Sequence, residues 1–323
     1  MLYVAKAAKV RMMSTHFQNS NNARRTIVGL GELLWDVLPA GKQLGGAPTN
    51  FAYVARLLGN QAFVASRIGA DELGQEALDR LHQLELDSSY VQRDEAHQTG
   101  TVRVLIDAQG EASYTNSQND AWDYLEWTPQ WTELAARVDA VCFGTLAQRS
   151  TTSRSTIKRV LQETRANALR IFDVNLRHSF VTAEMLSESL EAANIVKLNS
   201  DELSRIAALL ELGGRGEHAF ANRLLQIFDL DLVAITRGAN GSLLVTAEDM
   251  IEHTGFPVTV ADTIGAGDAF AAALAHYLLQ SAPLEQISVA ANRIGAWIAT
   301  QTGATPSIEP REFEQATMKA LAS

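Results

Sequence analysis

The chain of 323 residues is 46% hydrophobic and 20% charged, which suffices for one large domain, alone or with a small appendage. A net charge of −10 argues against a nucleic-acid partner or an anionic membrane surface, and no apolar run reaches the roughly 20 residues that a membrane span needs. The single cysteine, Cys142, excludes an internal disulfide and favours a reducing, cytoplasmic location, and its apolar neighbours predict that it is buried.

Residues 1–25 form a basic segment without acidic residues, and the first acid in the chain is Glu32. This composition predicts a disordered leader. Two alternatives stay open: an acid-poor transit peptide, and a true start at Met12 or Met13.

The N-terminal part predicts two strands with a helix between them. Strands are expected at Thr26–Leu30 and at 62–66, and residues 45–59 (GGAPTNFAYVARLLG) carry apolar side chains at helical spacing. Residues 99–115 alternate between apolar and polar on both sides of a turn, which predicts a hairpin with one face in water. Because this hairpin interrupts the strand–helix order, we expect a flap outside the main sheet.

From residue 139 onward strands and helices alternate regularly, which implies a mainly parallel sheet with helices on both faces and therefore an α/β fold. Two further strands, GSLLVT and an edge near Ile251, precede helices at 266–280 and 284–301. The alternating strands are predicted in DAVCFG, ALRIFDVN, NIVKLN and LDLVAITRG, and the helices at 156–167, 183–193, 200–212 and 218–228.

Polar and charged residues follow the carboxyl ends of the predicted strands. Ligands of open parallel sheets bind beyond these ends, so these residues are candidates for a site. Helix capping is an alternative role for Asn199 or Ser200, with Glu202 in the first turn that follows. The candidates are Glu32, Asp36, Asn175, Arg177, Asn199, Glu202, Arg237 and Gly238.

The segment ADTIGAGDAFAAALAHYLL carries the strongest chemical signal. Gly265, Ala266 and Gly267 precede an apolar helix, and glycine lets successive backbone N–H groups face one point. A helix N-terminus adds the positive end of its dipole, so the segment predicts an anion hole for a phosphoryl group. Asp268 lies at the edge of this hole, where a carboxylate can accept the proton of an attacking hydroxyl. The alternative is that Asp268 only complements the helix dipole.

A second glycine segment, GGAPTN, opens the first predicted helix. Gly45 and Gly46 permit a ligand to approach the backbone, and Asn50 offers a donor and an acceptor that suit sugar hydroxyls. Asp36 can accept two neighbouring hydroxyl donors, and a plain turn with a helix cap is the alternative. Other motifs are missing: the dinucleotide fingerprint fails at Leu34, and the sequence has no P-loop and no zinc spacing.

Taken together, these residues resemble the ribokinase-like carbohydrate kinases, also called the PfkB family. The likeness spans residues 26–313, and its two signatures are GGAPTNFAYVARLLG and DTIGAGDAF, where Ile264 stands in place of the usual Thr. The resemblance implies a three-layer αβα kinase domain over residues 26–316. It also implies a small β-sheet lid from about 36–46 and 97–120, through which members commonly pair as homodimers.

The resemblance also implies roles for individual residues. Asp268 is the expected general base, with Gly265, Ala266 and Gly267 as the anion hole, and the sugar is expected at Asp36, Gly45, Gly46 and Asn50. ATP is expected at Asn175, Asn199, Glu202, Thr236, Arg237, Gly238, Gly241 and Asn292. Mg²⁺ is expected near Glu202 through water, and a monovalent cation, usually K⁺, at Asp262, Gly303 and Ser307.

The acceptor is a finer question. GELLWDVLP, GGAPTN, FGTLAQRS and DVNLR are most similar to the fructokinase branch, so fructose is the predicted acceptor. Arg177 suits a carboxylate or a phosphate, or it stabilises the γ-phosphate, so 2-keto-3-deoxygluconate or another sugar stays open. A catalytically idle sugar- or nucleotide-binding regulator is a third hypothesis, against which the intact Asp268, Asn199 and Glu202 argue.

Overall fold

The computed structural model describes residues 24–38, 41–106, 112–176, 180–213 and 216–319. Most of the predicted leader lies outside the described residues, and so does Arg177. Every other residue singled out above as a site candidate lies within them.

Thirteen strands lie in the described part of the chain and form two sheets. The main sheet has nine strands in the order β13-β12-β11-β10-β9-β8-β1-β4-β5, and the small sheet has the order β3-β2-β6-β7. The strands are β1 Thr26–Leu30, β2 Leu34–Leu38, β3 Gly41–Gly45, β4 Gln61–Gly69, β5 Val91–Asp94, β6 Gly100–Ile106, β7 Ala112–Asn116, β8 Ala140–Phe143, β9 Leu169–Asp173, β10 Ile195–Asn199, β11 Leu232–Thr236, β12 Ser242–Val245 and β13 Met250–His253.

The main sheet is parallel from β5 to β11, and β12 and β13 add an antiparallel edge. The predicted hairpin is present as the antiparallel pair β6–β7, and β6 also pairs in parallel with β2. The predicted flap therefore supplies two strands, β6 and β7, of a four-stranded sheet. The other two strands, β2 and β3, come from the segment before the first helix.

Ten α-helices lie in the same described part and cover both faces of the main sheet. Helices α1, α2, α8, α9 and α10 contribute to the buried cluster on one face, and α3 to α7 to the cluster on the other. The helices are α1 Ala47–Leu57, α2 Glu72–Gln83, α3 Pro129–Arg137, α4 Thr151–Glu163, α5 Ala183–Ala192, α6 Ser200–Leu209, α7 Glu217–Phe228, α8 Ala266–Leu279, α9 Leu284–Ala299 and α10 Pro310–Lys319.

Alternation along the central strands separates the two layers of the core. On β8, Val141 and Phe143 join one cluster and Ala140 and Cys142 the other, as a strand with both faces covered requires. The three-layer prediction is confirmed, and Cys142 is buried as predicted.

Three helices were not predicted: α2, α3 and α10. They lie between segments of clear strand or hairpin pattern or at the end of the chain, and α2 does carry the helical signal, since its buried Ala77 and Leu81 are four residues apart. The predicted helix at 156–167 was placed too late, since α4 begins at Thr151 and ends at Glu163. None of the described helices is both long and apolar enough to cross a bilayer.

Candidate active site

The first turn of α8 lies at the centre of the candidate site. Gly265 is its N-cap residue in the left-handed region, with φ of 79°, a conformation that favours glycine. A side chain at this position would also collide with Ala304, whose Cβ lies 2.4 Å from the place a Cβ would occupy. Asp268 stands in the first helical turn, so its carboxylate faces the positive end of the helix.

Helix α1 brings the second glycine segment to the same place. The Nδ2 atom of Asn50 donates a hydrogen bond of 2.8 Å to Oδ2 of Asp268. Apolar side chains of α1 and α8, among them Phe51 and Phe270, belong to one buried cluster. The structure thus joins two residues that the sequence analysis proposed separately.

Strands β2 and β3 of the small sheet lead directly into α1. Asp36 is half-buried on β2, and its Oδ2 lies 2.2 Å from the place a Cβ on Gly45 would occupy. A side chain at this position would displace the carboxylate from its present place. Gly46 is the N-cap residue of α1, so Asp36, Gly45, Gly46 and Asn50 form one continuous wall.

A small cavity, partly open to solvent, lies beside these elements, and Asp36, Gly45, Gly46 and Asn50 are not among its lining residues. It is lined by side chains from the ends of β8 and β9 and from the starts of α1 and α8. Every charged residue among the described lining residues is acidic. The lining includes Glu32, Pro48, Thr145, Asp173, Asn175 and Asp268.

Two charged residues beside the cavity escaped the sequence analysis, Asp173 and Lys197. Lys197 Nζ bonds to both carboxylate oxygens of Asp173, at 3.0 and 2.9 Å. The sequence does predict that Lys197 has a partner, because a lysine within the apolar strand IVKLN needs one once both faces of the sheet are covered. The identity of that partner could not be predicted from the sequence, because it depends on β9 lying beside β10 in the sheet.

Asn199 and Glu202 form a capping box at the start of α6. Oε2 of Glu202 accepts from the Asn199 backbone N–H at 2.8 Å, and Oε1 accepts from Leu176 N–H at 2.6 Å. Burial raises the pKa of Glu202, with the nearby Asp173 carboxylate adding to the rise against the backbone bonds that lower it. The capping alternative is confirmed, and the carboxylate also fixes the segment after Asn175, whose φ is 40°.

The turn after β11 contains the other predicted nucleotide residues. The Arg237 guanidinium pairs with Glu217 at 2.7 Å and with Glu252 at 3.1 Å, so its side chain is engaged within the protein. The backbone of the turn closes through a 2.7 Å bond from Arg237 N–H to Gly241 C=O. Thr236 and Gly238 flank this arginine, and their contact with a nucleotide stays a prediction.

Asn292 is buried on α9, outside this turn. Its Nδ2 donates to Ser242 Oγ at 2.7 Å and to the Ser288 carbonyl at 2.8 Å. The bond to Ser242 ties α9 to β12, and a contact with adenine would have to use the amide oxygen.

The structure brings together two of the three predicted monovalent-cation residues. Asp262 accepts from Ile264 N–H at 3.0 Å and from Gly303 N–H at 3.2 Å. Ser307 is exposed on the loop that follows Gly303. Asp262 therefore holds the segment before the Gly265 turn against this loop.

The fold and the site define a class of protein. A three-layer α/β domain presents a helix N-terminus able to hold an anion, a carboxylate beside it and a polar wall suited to hydroxyl groups. This arrangement is suited to the transfer of an anionic group, such as a phosphoryl group, onto a hydroxyl group, as in a carbohydrate kinase.

The chain belongs to the pfkB family of carbohydrate kinases, whose family model matches residues 30–311. The prediction of an ATP-dependent carbohydrate kinase with this fold is thereby confirmed.

Individual relatives support the same assignment. A fructokinase of Salmonella typhimurium is 32% identical over 300 residues, which covers 86% of this chain and 94% of that protein. An ATP-dependent 6-phosphofructokinase of Thermoanaerobacterium thermosaccharolyticum is 25% identical over 264 residues, which covers 76% of this chain and 78% of that protein. A sugar kinase of Pyrococcus horikoshii, solved in complex with ATP, has a TM-score of 0.77 at 25% identity, covering 91% of this chain and 99% of the other.

Proposed function

We propose that this sugar kinase transfers the γ-phosphoryl group of ATP to fructose, with Asp268 as the general base. The contact between Asn50 and Asp268 carries the proposal, because it joins the predicted sugar wall to the predicted base at 2.8 Å. The likeness to a fructokinase supports fructose as the acceptor.

The proposed step is a single in-line displacement. The sugar oxygen forms a bond to the γ-phosphorus, the bond from that phosphorus to the β-phosphate bridging oxygen breaks, and ADP leaves. The hydroxyl proton passes to Asp268. The N–H groups at Gly265, Ala266 and Gly267 are proposed to stabilise the charge on the transferred group.

Mg²⁺ fits the donor set in one specific way. The described residues contain no cluster of three or more metal-ligating side chains, and each Glu202 oxygen already accepts one backbone N–H. A carboxylate oxygen has a second lone pair that can accept from water, so Glu202 would hold the ion through its water shell, as Mg²⁺ prefers. When bound, Mg²⁺ neutralises charge on the ATP phosphates.

The charge of the cavity favours a neutral acceptor. Glu32, Asp173 and Asp268 are its charged lining residues among those described. Lys197 offsets the charge of Asp173, but Glu32 and Asp268 would still present like charge to a sugar acid or sugar phosphate. Such a substrate would need a cation, and Arg177 is the candidate that the sequence offers. The choice between fructose and 2-keto-3-deoxygluconate therefore depends on whether Arg177 serves the acceptor or the γ-phosphate.

An acceptor panel tests the proposal. ADP release with Mg·ATP would be measured for fructose, glucose, ribose, adenosine, 2-keto-3-deoxygluconate and fructose 6-phosphate. We expect the highest kcat/KM for fructose, and Arg177→Gln should lower kcat more than it raises KM for fructose. A higher kcat/KM for an anionic sugar would refute the fructose proposal, and no turnover with any acceptor would favour an idle regulator.

The small sheet is proposed to act as a lid and as a homodimer interface. Its strands β2 and β3 carry Asp36 and lead into the sugar wall, so a movement of this sheet would move the proposed sugar contacts. Light scattering with Val37→Glu, partly exposed on β2, tests dimerisation against Ile227→Glu, exposed outside this sheet. A monomeric wild-type protein would contradict the interface.

The monovalent-cation site is proposed at the Asp262, Gly303 and Ser307 loops. Gly303 and Ala304 contact both Asp262 and the Gly265 turn, so an ion bound there would order the anion hole. We expect K⁺ to raise kcat relative to Na⁺, and equal rates in both ions would contradict the site.

The buried Cys142, which needs no oxidising compartment, supports the proposed cytoplasmic location.

A further inference from the structure

Lys197 is a lysine in the interior of the main sheet. Its side chain is 9% exposed and that of Asp173 is 5% exposed. The two residues are cross-strand partners in the register of β9 and β10. A buried ammonium is tolerated when it is paired and hydrogen-bonded, and the bidentate contact with Asp173 satisfies this condition.

Strand alternation directs this ammonium toward α8. Ile195 belongs to the buried cluster on the α8 face, and Lys197, two residues later, projects to the same face. Nζ of Lys197 lies 2.8 Å from the place a Cβ on Gly267 would occupy. The ammonium therefore lies directly beneath the turn that forms the proposed anion hole.

The surroundings of this ammonium are acidic. Asp173 and Asp268 line the same cavity with Glu32, and Glu202 lies close enough to act on Lys197. Burial disfavours the charged form of Lys197, but the Asp173 and Asp268 carboxylates outweigh it and raise its pKa. Burial, with Asp173 and Asp268 adding to it, raises the pKa of the Cys142 thiol well above its usual range, so the thiol stays neutral. The groups around Lys197 are thus Glu32, Cys142, Asp173, Glu202 and Asp268.

We infer that Lys197, held by Asp173, is a positioning residue that places a fixed positive charge beneath the first turn of α8. This charge keeps Asp268 ionised among neighbouring carboxylates and favours the negative charge that gathers on the transferred group. Lys197 is not among the described residues that line the cavity, so its proposed effect acts through Asp268 and the Gly267 turn. The inference rests on the proposed role of Asp268 as the base.

The test is the pH profile of kcat, measured at saturating fructose and Mg·ATP in four variants. The acid limb of this profile is the fall in kcat at low pH, where the base Asp268 becomes protonated. Lys197→Met should lower kcat about tenfold or more and move the acid limb to higher pH by about one unit, because a nearby positive charge is lost. Lys197→Arg, which retains the charge, should leave the limb within about a few tenths of a unit of the wild type.

Asp173→Asn should shift the limb in the opposite direction, to lower pH, because the ammonium then acts without its counter-charge. Lys197→Met combined with Asp173→Asn removes the ion pair without leaving a buried charge, so this variant serves if Lys197→Met alone fails to fold. The acid limb of the double variant should lie at higher pH than that of Asp173→Asn.

A merely structural role predicts lower kcat with an unmoved limb, and that outcome would overturn the inference. Shifts of the same sign for Lys197→Met and Asp173→Asn would also overturn it.

Asp268→Asn distinguishes a failure of the role inferred for Lys197 from a failure of the role proposed for Asp268. If Asp268→Asn is inactive while the Lys197 variants leave the limb in place, the inference about Lys197 alone fails. If Asp268→Asn retains turnover, the assignment of the base fails.

Discussion

Asn50 and Asp268 are 218 positions apart in the chain, yet Nδ2 of the first donates to Oδ2 of the second at 2.8 Å. The bond holds one oxygen atom of the carboxylate in a fixed orientation. Since a general base must be held at the proton that it accepts, this contact links sugar binding to catalysis in the proposed mechanism.

Asp268→Asn is expected to lower kcat by about two to four orders of magnitude, the usual scale for a lost base. The amide is close in shape to the carboxylate, so ATP affinity and thermal stability should change little. Steady-state turnover with nucleotide titration checks this, and Asp249→Asn, at an exposed position, is the matched control. Turnover near that of the control would rule out Asp268 as the base.

Asn50→Asp is expected to move the acid limb of kcat to higher pH. The new carboxylate would lie against Asp268, and like charge at hydrogen-bond distance disfavours ionisation of both groups. Because the base must be ionised, activity would be lost at a higher pH than in the wild type. Asn50→Ala removes a donor to the carboxylate without adding charge, so it should lower kcat and move the limb up by less than Asn50→Asp does. Equal limbs in both variants would show that Asn50 lies away from the titrating group.

Glu202→Gln is expected to raise KM for ATP and to destabilise the fold by about 1–3 kcal/mol. One of the two backbone N–H groups now bound by the carboxylate would face an amide NH₂ instead of an acceptor. Denaturant titration and ATP kinetics check both effects. Asp201→Asn, exposed in the same helical turn, should leave them unchanged. An unaltered KM for ATP would separate this capping box from nucleotide binding.

His276→Gln is expected to reduce the acid sensitivity of the fold. Burial lowers the pKa of His276 to about 4 from its usual 6.5. The unfolded chain therefore binds the proton first, and stability is lost as the pH falls through this window. Between pH 7.5 and pH 5 the loss attributable to His276 is about 2 kcal/mol, measurable by urea titration. His82→Gln, at an exposed position, should retain the full loss, and a His276→Gln variant with the same loss would contradict the assignment.

The sequence by itself determined the features that depend on local physics. Strand alternation and helix spacing predicted the sheet and most of its helices. Glycine at Gly265 and Gly267 predicted the turn, since only a residue without a side chain fits a left-handed backbone or a close approach. The family resemblance then supplied roles that the turn alone left open.

Only the tertiary structure decided which residues meet. The pairing of Lys197 with Asp173 needs β9 beside β10, and the contact of Gly267 with Lys197 needs α8 on that face. Likewise, Asn50 reaches Asp268 because α1 and α8 bury their apolar sides together. Such contacts depend on the order of strands and the face that each helix covers. These are set by burial of apolar surface over the whole chain, and no local pattern records them.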